Sequence, residues 1–294
     1  MNTTYFSPVI AGCMKWGQWG ARFSTNEYLQ VIEECIAMGV TTFDHADIYG
    51  HYTTEEEFGK ALLQNPSLRK KMQLITKCGI RMVTPHRPEH KIKSYDTGKA
   101  HIIRSAEQSL KNFGSDYIDV LLIHRPDPLM NPGEIAEAFT LLKQQGKVLE
   151  FGVSNFTLSQ FQLLHSCYPL KFHQFEISLL KLDPFTNGAL DQCIAQKIIP
   201  MSWSPLGGGK LLSDSDDERG RRIMAVAEIL AEKYNSTSDQ ILFAWLYKHP
   251  SGIIPVTGTS KTKRIKAALA AKSIEITREE WFMLWRASTG AEVP

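Results

Sequence analysis

The chain has 294 residues, 43% of them hydrophobic and 22% charged, with a formal net charge of +2. That is the make-up of a globular protein with a large core, and so even a charge balance gives no reason to expect nucleic acid or an anionic membrane as a partner. The five cysteines (Cys13, Cys35, Cys78, Cys167 and Cys193) are odd in number and widely spaced, with no CxxC pair. They speak against a disulfide framework and a structural zinc site, and for a reducing, cytoplasmic setting. No metal site is expected. The start MNTTYFSPVI lacks the charged-then-apolar pattern of a secretory signal, and no stretch reaches the ~18 apolar residues of a membrane span.

Short apolar strands alternate with amphipathic helices along nearly the whole chain. Ser24 with Glu27 forms a capping-box pattern, and Leu29, Ile32, Cys35 and Ile36 keep helical spacing until Gly39. The strand VTTFDHA, a helix at 54–65 and the strand QLITK follow. A basic, Pro-containing loop (79–96) leads into a helix ending at Phe113, whose buried stripe is Ile102, Ala106, Leu110 and Phe113. YIDVLLIH has an apolar core suited to burial on both faces, as parallel sheets require. Next come a helix at 132–145, strand EFGVS, helix 157–166, strand FHQFEIS, helix 188–197 and strand IIPMSWS. A Gly-rich, acidic loop (207–220) interrupts the rhythm. Helices at 219–234 and 238–249, the strand GIIPVTG, a helix at 262–271 and a tail helix from Thr277 complete the chain. About eight βα units mean a parallel sheet. The first strand gives AGCMKWGQWG, which is no GxGxxG fingerprint, so a closed barrel of ~250 residues or more is favoured over an open dinucleotide-binding sheet. The expectation is one (β/α)8 TIM-barrel domain over residues 1–294 with an extra C-terminal helix.

Four polar residues stand at carboxyl ends of these strands: Asp44 and Tyr49 in TTFDHADIYG, Lys77 in MQLITKCGI and His124 in YIDVLLIHRPDP. In a parallel barrel such ends meet on one face. Singly, each has an ordinary reading: a half-buried phenol, a snorkelling lysine, a capping acid, a core histidine. Together they can move a proton. A phenol titrates near ~10, a neighbouring ammonium favours its phenolate, and a carboxylate would hold that ammonium charged. By spacing alone Asp47 competes with Asp44 as the lysine's partner.

DHADIYG, ITKCG, LLIHRPDP, FGVSNF, HQFEIS, WSPLGGGKL and IPVTGTSKTKRI, in this order over residues 9–270, resemble the successive motifs of the aldo-keto reductase family, in particular its bacterial oxidoreductase branch. The family pattern selects Asp44 over Asp47. The resemblance implies NADPH (NADP+) bound across the barrel mouth and a small carbonyl substrate reduced to an alcohol. Tyr49 would be the general acid, Lys77 would lower its pKa, Asp44 would hold Lys77, and His124 would position the carbonyl.

The resemblance also implies a cradle for the cofactor. Ser154, Asn155 and Gln174 would bind the carboxamide, and Trp203 would stack on the nicotinamide. In WSPLGGGKL, Ser204, Leu206, Gly207, Gly208, Gly209 and Lys210 follow, where consecutive glycines let backbone N–H groups approach a pyrophosphate. GTSKTKR opens a helix with Lys261, Lys263 and Arg264 beside Thr259 and Ser260, a setting that attracts anions. There the resemblance puts the adenosine 2′-phosphate, although Gly258 stands at a frequently basic position and Ala267 and Ala268 replace a common Glu-Asn pair. Met14 and Lys15 are expected near the cofactor, with a core role for Met14 as an equal reading. Trp16, Trp19, the 78–96 loop, Arg125 and Phe156 are expected to border the substrate. The competing readings are an NADPH-sensing regulatory subunit, for which the tetrad has no use, and a barrel acting on a phosphorylated metabolite, which leaves Ser154, Asn155 and Gln174 unexplained.

Overall fold

The computed structural model describes residues 6–213 and 217–293. Residues 214–216 of the acidic loop lie outside them. Eight strands form the centre: β1 (Ile10–Gly12), β2 (Thr42–Asp44), β3 (Gln73–Cys78), β4 (Ile118–Ile123), β5 (Val148–Ser154), β6 (Phe172–Glu176), β7 (Ile199–Trp203) and β8 (Ile254–Thr257). Every neighbouring pair is parallel and β1 pairs with both β2 and β8, so the sheet closes on itself.

The period of two decides what the barrel holds. Ile10, Ile75, Val120, Leu122, Phe172, Met201 and Val256 pack with Phe6 as one interior cluster, and Phe6 stacks on Phe172 at 4.9 Å. Two residues beyond an interior residue, on the same face, come Lys77 after Ile75, His124 after Leu122, Gln174 after Phe172, Trp203 after Met201 and Gly258 after Val256. The apolar interior is therefore capped at its carboxyl end by the side chains of Lys77, His124, Gln174 and Trp203. At Gly152 an added Cβ would stand 2.4 Å from the Phe172 carbonyl oxygen and 2.8 Å from Leu122, so β5 can lie against β6 only with glycine there.

Around the barrel run α1 (Thr25–Ala37), α2 (Thr54–Gln64), α3 (Lys99–Phe113), α4 (Pro132–Gln144), α5 (Leu158–Cys167), α6 (Ala189–Gln196), α7 (Glu218–Lys233), α8 (Ser238–Tyr247), α9 (Thr262–Ala270) and α10 (Arg278–Thr289). The Ser24–Glu27 capping box opens α1, and matching boxes open α5, α8 and α10. The stripe of α3 is buried as the spacing predicts, and Gly114 ends that helix at φ +60°. On α1 the buried stripe is centred on Tyr28, Val31, Ile32 and Cys35, with Leu29 and Ile36 half-buried at its flank. The extra C-terminal helix α10 packs on α7, where Arg219 donates to Ser288 Oγ and the Leu179 carbonyl.

One segment departs from the sequence reading. Residues 79–96 contain a small antiparallel pair, Ile80–Arg81 with Ser94–Tyr95, rather than loop alone. Gly79, at φ +107°, turns the chain out of β3, and its carbonyl accepts from Asp96 N–H at 3.0 Å. No helix among the described residues is long and apolar enough to cross a membrane.

Candidate active site

Lys77 is 1% exposed, inside the barrel at the end of β3. Its Nζ lies 2.8 and 2.7 Å from the two Asp44 carboxylate oxygens, 2.8 Å from the His45 carbonyl and 3.2 Å from Tyr49 Oη. A buried ammonium needs such a set, because desolvation alone would favour its neutral form. Burial does work against the charge. The Asp44 carboxylate and the Tyr49 phenol outweigh it, so Lys77 titrates above its ordinary value. Asp44 Oδ1 also accepts from Gln174 Nε2 at 2.8 Å.

The geometry separates the two acids. Asp47 gives its backbone N–H to the Lys77 carbonyl, and its side chain faces a second, polar cavity of about 370 Å³ with Glu55 and Arg87. Burial, followed by the charge of Glu55, pushes the Asp47 carboxyl well above the usual range. His45 is caged by Phe58 and Phe113 at 4.6 and 5.1 Å, and burial followed by Lys77 holds it down at about 3. That histidine is packing; its carbonyl is what serves the site.

Tyr49 sits on a tight turn in which Gly50, His51 and Tyr52 all have positive φ (58°, 59° and 72°). Burial raises the phenol more than the ammonium of Lys77 lowers it, and Asp44 adds to the rise. The expected lowering by Lys77 is thus present, but the net direction is upward and the phenol stays protonated near neutrality. Since Tyr49 Oη is within hydrogen-bond reach of the lysine, its own proton is free to point elsewhere. His124 is 8% exposed, its ring centroid 6.1 Å from that of Tyr49. Burial, then Lys77, Arg125 and Lys93, hold its pKa well below the ordinary histidine value, so the ring is neutral.

Asp44, Tyr49 and His124 line a cavity of about 790 Å³ at the carboxyl end of the barrel. Ser154, Asn155, Gln174, Trp203, Ser204, Leu206, Gly208, Gly258, Thr259, Ser260, Lys261 and Arg264 share its wall. Asn155 Nδ2 donates to Ser154 Oγ at 2.6 Å, and Asn155 Oδ1 accepts from Trp203 Nε1 at 2.9 Å, so the amide and indole are fixed edge to edge. Asn155 and Ser204 hold φ of 62° and 50°. Non-glycine residues in that region cost about 1–3 kcal/mol each and collect at functional sites.

Two expected residue groups fall elsewhere. Lys210 is exposed and outside the cavity lining. Trp16 and Phe156 are buried, at 0% and 6%, in the packing between barrel and helices, not at the substrate mouth. Trp16 instead donates its Nε1 to the Thr259 carbonyl at 3.1 Å and so anchors the loop before α9. Met14 is 37% exposed on the cavity wall, not in the core. Trp19, Ile80, Met82, Tyr95 and Arg125 do border the cavity. So do Gly12, Asp239, Phe243 and Thr257, which the sequence reading did not single out. Of these only Gly12 and Thr257, at the ends of β1 and β8, carried a signal, namely their position.

The residues fit a dinucleotide on structural grounds. The N-terminus of α9 has no side-chain cap, and its opening residues include Lys261, Lys263 and Arg264, none of them in an ion pair among the described residues. Gly208 and Gly209 take φ of 70° and 96°, and among the described residues a Cβ at Gly209 or Gly258 would meet nothing within 4 Å, so these residues leave the wall open beside those backbone groups.

Comparison with known proteins agrees with this architecture. The model of the Aldo/keto reductase family matches residues 8–287. The chain is 46% identical to the protein called uncharacterized oxidoreductase YcsN of Bacillus subtilis (strain 168), over 98% of this chain and 96% of that one. It is 42% identical to a 6-dehydroglucose reductase of Agrobacterium fabrum (strain C58), over 89% and 88%. The crystal structure of a thermostable aldo-keto reductase in complex with the inhibitor epalrestat superposes with a TM-score of 0.78 at 26% identity, covering 95% of this chain and 94% of that one. The chain belongs to the aldo/keto reductase family and is an oxidoreductase of the (β/α)8-barrel type.

Proposed function

We propose that the protein is an NADPH-dependent reductase that converts aldehydes or ketones to alcohols, with one barrel domain in a reducing, cytoplasmic setting carrying the whole site. The observation that supports this most is the Lys77 ammonium bridging Asp44 and Tyr49 within hydrogen-bond distance, beside a cavity whose wall includes Ser154, Asn155, Gln174, Trp203, Lys261 and Arg264. NADPH, when bound, supplies a hydride from nicotinamide C4 to the carbonyl carbon.

The chain's own residues do the rest. Tyr49 gives its proton to the carbonyl oxygen as negative charge builds there, a contribution of typically ~10²–10⁴-fold. Lys77 stabilises the phenolate left behind, and Asp44 keeps Lys77 charged and in place. His124 is neutral and can hydrogen-bond the same oxygen, since its ring centroid is 6.1 Å from that of Tyr49. Ser154, Asn155 and Gln174 orient the carboxamide and Trp203 covers the ring. Lys261 and Arg264, at the start of α9, hold the 2′-phosphate and set the preference for NADPH over NADH.

The test is binding of NADPH and NADH followed by quenching of tryptophan fluorescence, since Trp203 and Trp19 line the cavity. NADPH is expected to bind tightly and NADH more weakly. Binding of neither would overturn the proposal.

A further inference from the structure

The substrate side of the cavity is not the purely apolar mouth that its aromatic residues suggest. Trp19, Ile80, Met82 and Tyr95 are interrupted there by two cations, Arg125 and Lys93. Arg125 directly follows His124 in the chain, and its guanidinium lies over the Trp203 ring, 5.8 Å from the centroid. The ring thus helps fix the position of the guanidinium while its N–H edges stay available. Neither Arg125 nor Lys93 has an ion-pair partner among the described residues. Both are near enough for their charge to bear on His124.

The carboxylates of the same cavity are committed elsewhere. Asp44 holds Lys77 and Gln174. Asp239 accepts from Thr237 Oγ1 at the start of α8, which packs on α9. On the proposed cofactor reading the phosphate groups fall to Lys261 and Arg264, and Lys15 stands in the loop after β1. Arg125, half-buried, and Lys93, exposed, are left without an ion-pair partner among the described residues on the wall of the cavity that also holds Tyr49 and His124.

We propose that Arg125 and Lys93 form an anion subsite beside the tetrad, so that the preferred substrates are aldehydes or ketones carrying a carboxylate or phosphate within a few carbons of the carbonyl. This rests on the reductase reading above. The guanidinium fork matches either anion through two parallel N–H donors, and Lys93 adds a mobile point charge. Binding the anion on Arg125 would bring a carbonyl a few carbons away up to its chain neighbour His124 and to Tyr49.

The experiment measures kcat/KM with NADPH for two matched pairs, butanal with 4-oxobutanoate and glyceraldehyde with glyceraldehyde 3-phosphate. It uses the wild type, Arg125→Gln and Lys93→Gln. In the wild type the anionic member of at least one pair is favoured by about 10- to 100-fold, the range of a hydrogen bond to a charged group. The pair with the larger ratio tells carboxylate from phosphate. In both variants that ratio falls, more for Arg125→Gln, and added salt lowers it in the wild type. Equal kcat/KM within both pairs in the wild type would overturn the inference and leave the reductase reading standing. So would a fall of both members by the same factor in Arg125→Gln together with an unchanged ratio in Lys93→Gln. Failure to reduce any carbonyl, with no NADPH bound, would instead overturn the reductase reading and this inference with it.

Discussion

Replacing Asp44 with Asn keeps the shape of the side chain and removes one charge from a buried pair. In the wild type the Lys77 ammonium, 1% exposed, has both carboxylate oxygens within 2.8 Å. The variant leaves that ammonium against a neutral amide, the His45 carbonyl and a phenol. Breaking a buried ion pair by removing one partner costs about 3–5 kcal/mol. With ~2–4 °C per kcal/mol for a large domain, Tm falls by roughly 6–20 °C. The pH dependence separates this cause from a packing defect. In the wild type the folded-state pKa of Lys77 is raised, so its stabilisation is fully present below the unfolded value of ~10.4 and is lost as pH rises through the folded value. In Asp44→Asn burial dominates, and the folded-state pKa drops below the unfolded one. The unfolded chain then binds the proton better, so the variant gains stability as pH rises from about 7 to 10. Urea unfolding of both proteins across that window measures the difference. A deficit below about 1 kcal/mol, the size typical of an exposed pair, or a deficit that stays constant with pH, would refute the reasoning.

Changing Lys261 and Arg264 together to Ala should raise the Kd for NADPH about 10- to 100-fold, as expected for lost charge-assisted hydrogen bonds, with a much smaller effect on NADH. Fluorescence titration with both nucleotides checks this, and equal weakening would move the 2′-phosphate elsewhere. Trp16→Phe removes the donor to the Thr259 carbonyl and should cost about 1–3 kcal/mol in urea unfolding while weakening NADPH binding more than NADH. A neutral result in both assays would contradict the anchoring role. His124 should remain a neutral imidazole at pH 6, since burial and three cations depress it; a nitrogen chemical shift of an imidazolium there would refute that electrostatic picture.

Much of this was readable in the residues. Alternation of period two along β3, β4, β6 and β7 sends Lys77, His124, Gln174 and Trp203 inward once the strands are recognised. The four polar strand ends therefore pointed to one end of the barrel, and the structure brings those four residues together there. What sequence spacing could not separate was Asp44 from Asp47, three residues apart, because that choice depends on the turn that follows β2. The Ile80–Arg81 and Ser94–Tyr95 pair was missed because two-residue strands show no alternation. Trp16 was misread because its aromatic neighbours, Tyr28, Phe43 and Phe58, come from distant segments and bury it from several sides. The upward shift of Tyr49 was also out of reach. The sequence shows which charge stands near the phenol, whereas the extent of its burial is a property of the closed barrel.

The central claim is that Tyr49 is the proton donor of an NADPH-dependent carbonyl reductase. The most direct measurement compares wild type with Tyr49→Phe in NADPH binding and in carbonyl-dependent oxidation of NADPH, using the same protein preparations for both. Turnover should fall by ~10²–10⁴-fold, the usual share of a general acid, while the Kd for NADPH stays close to that of the wild type. Unchanged turnover in Tyr49→Phe would contradict the account.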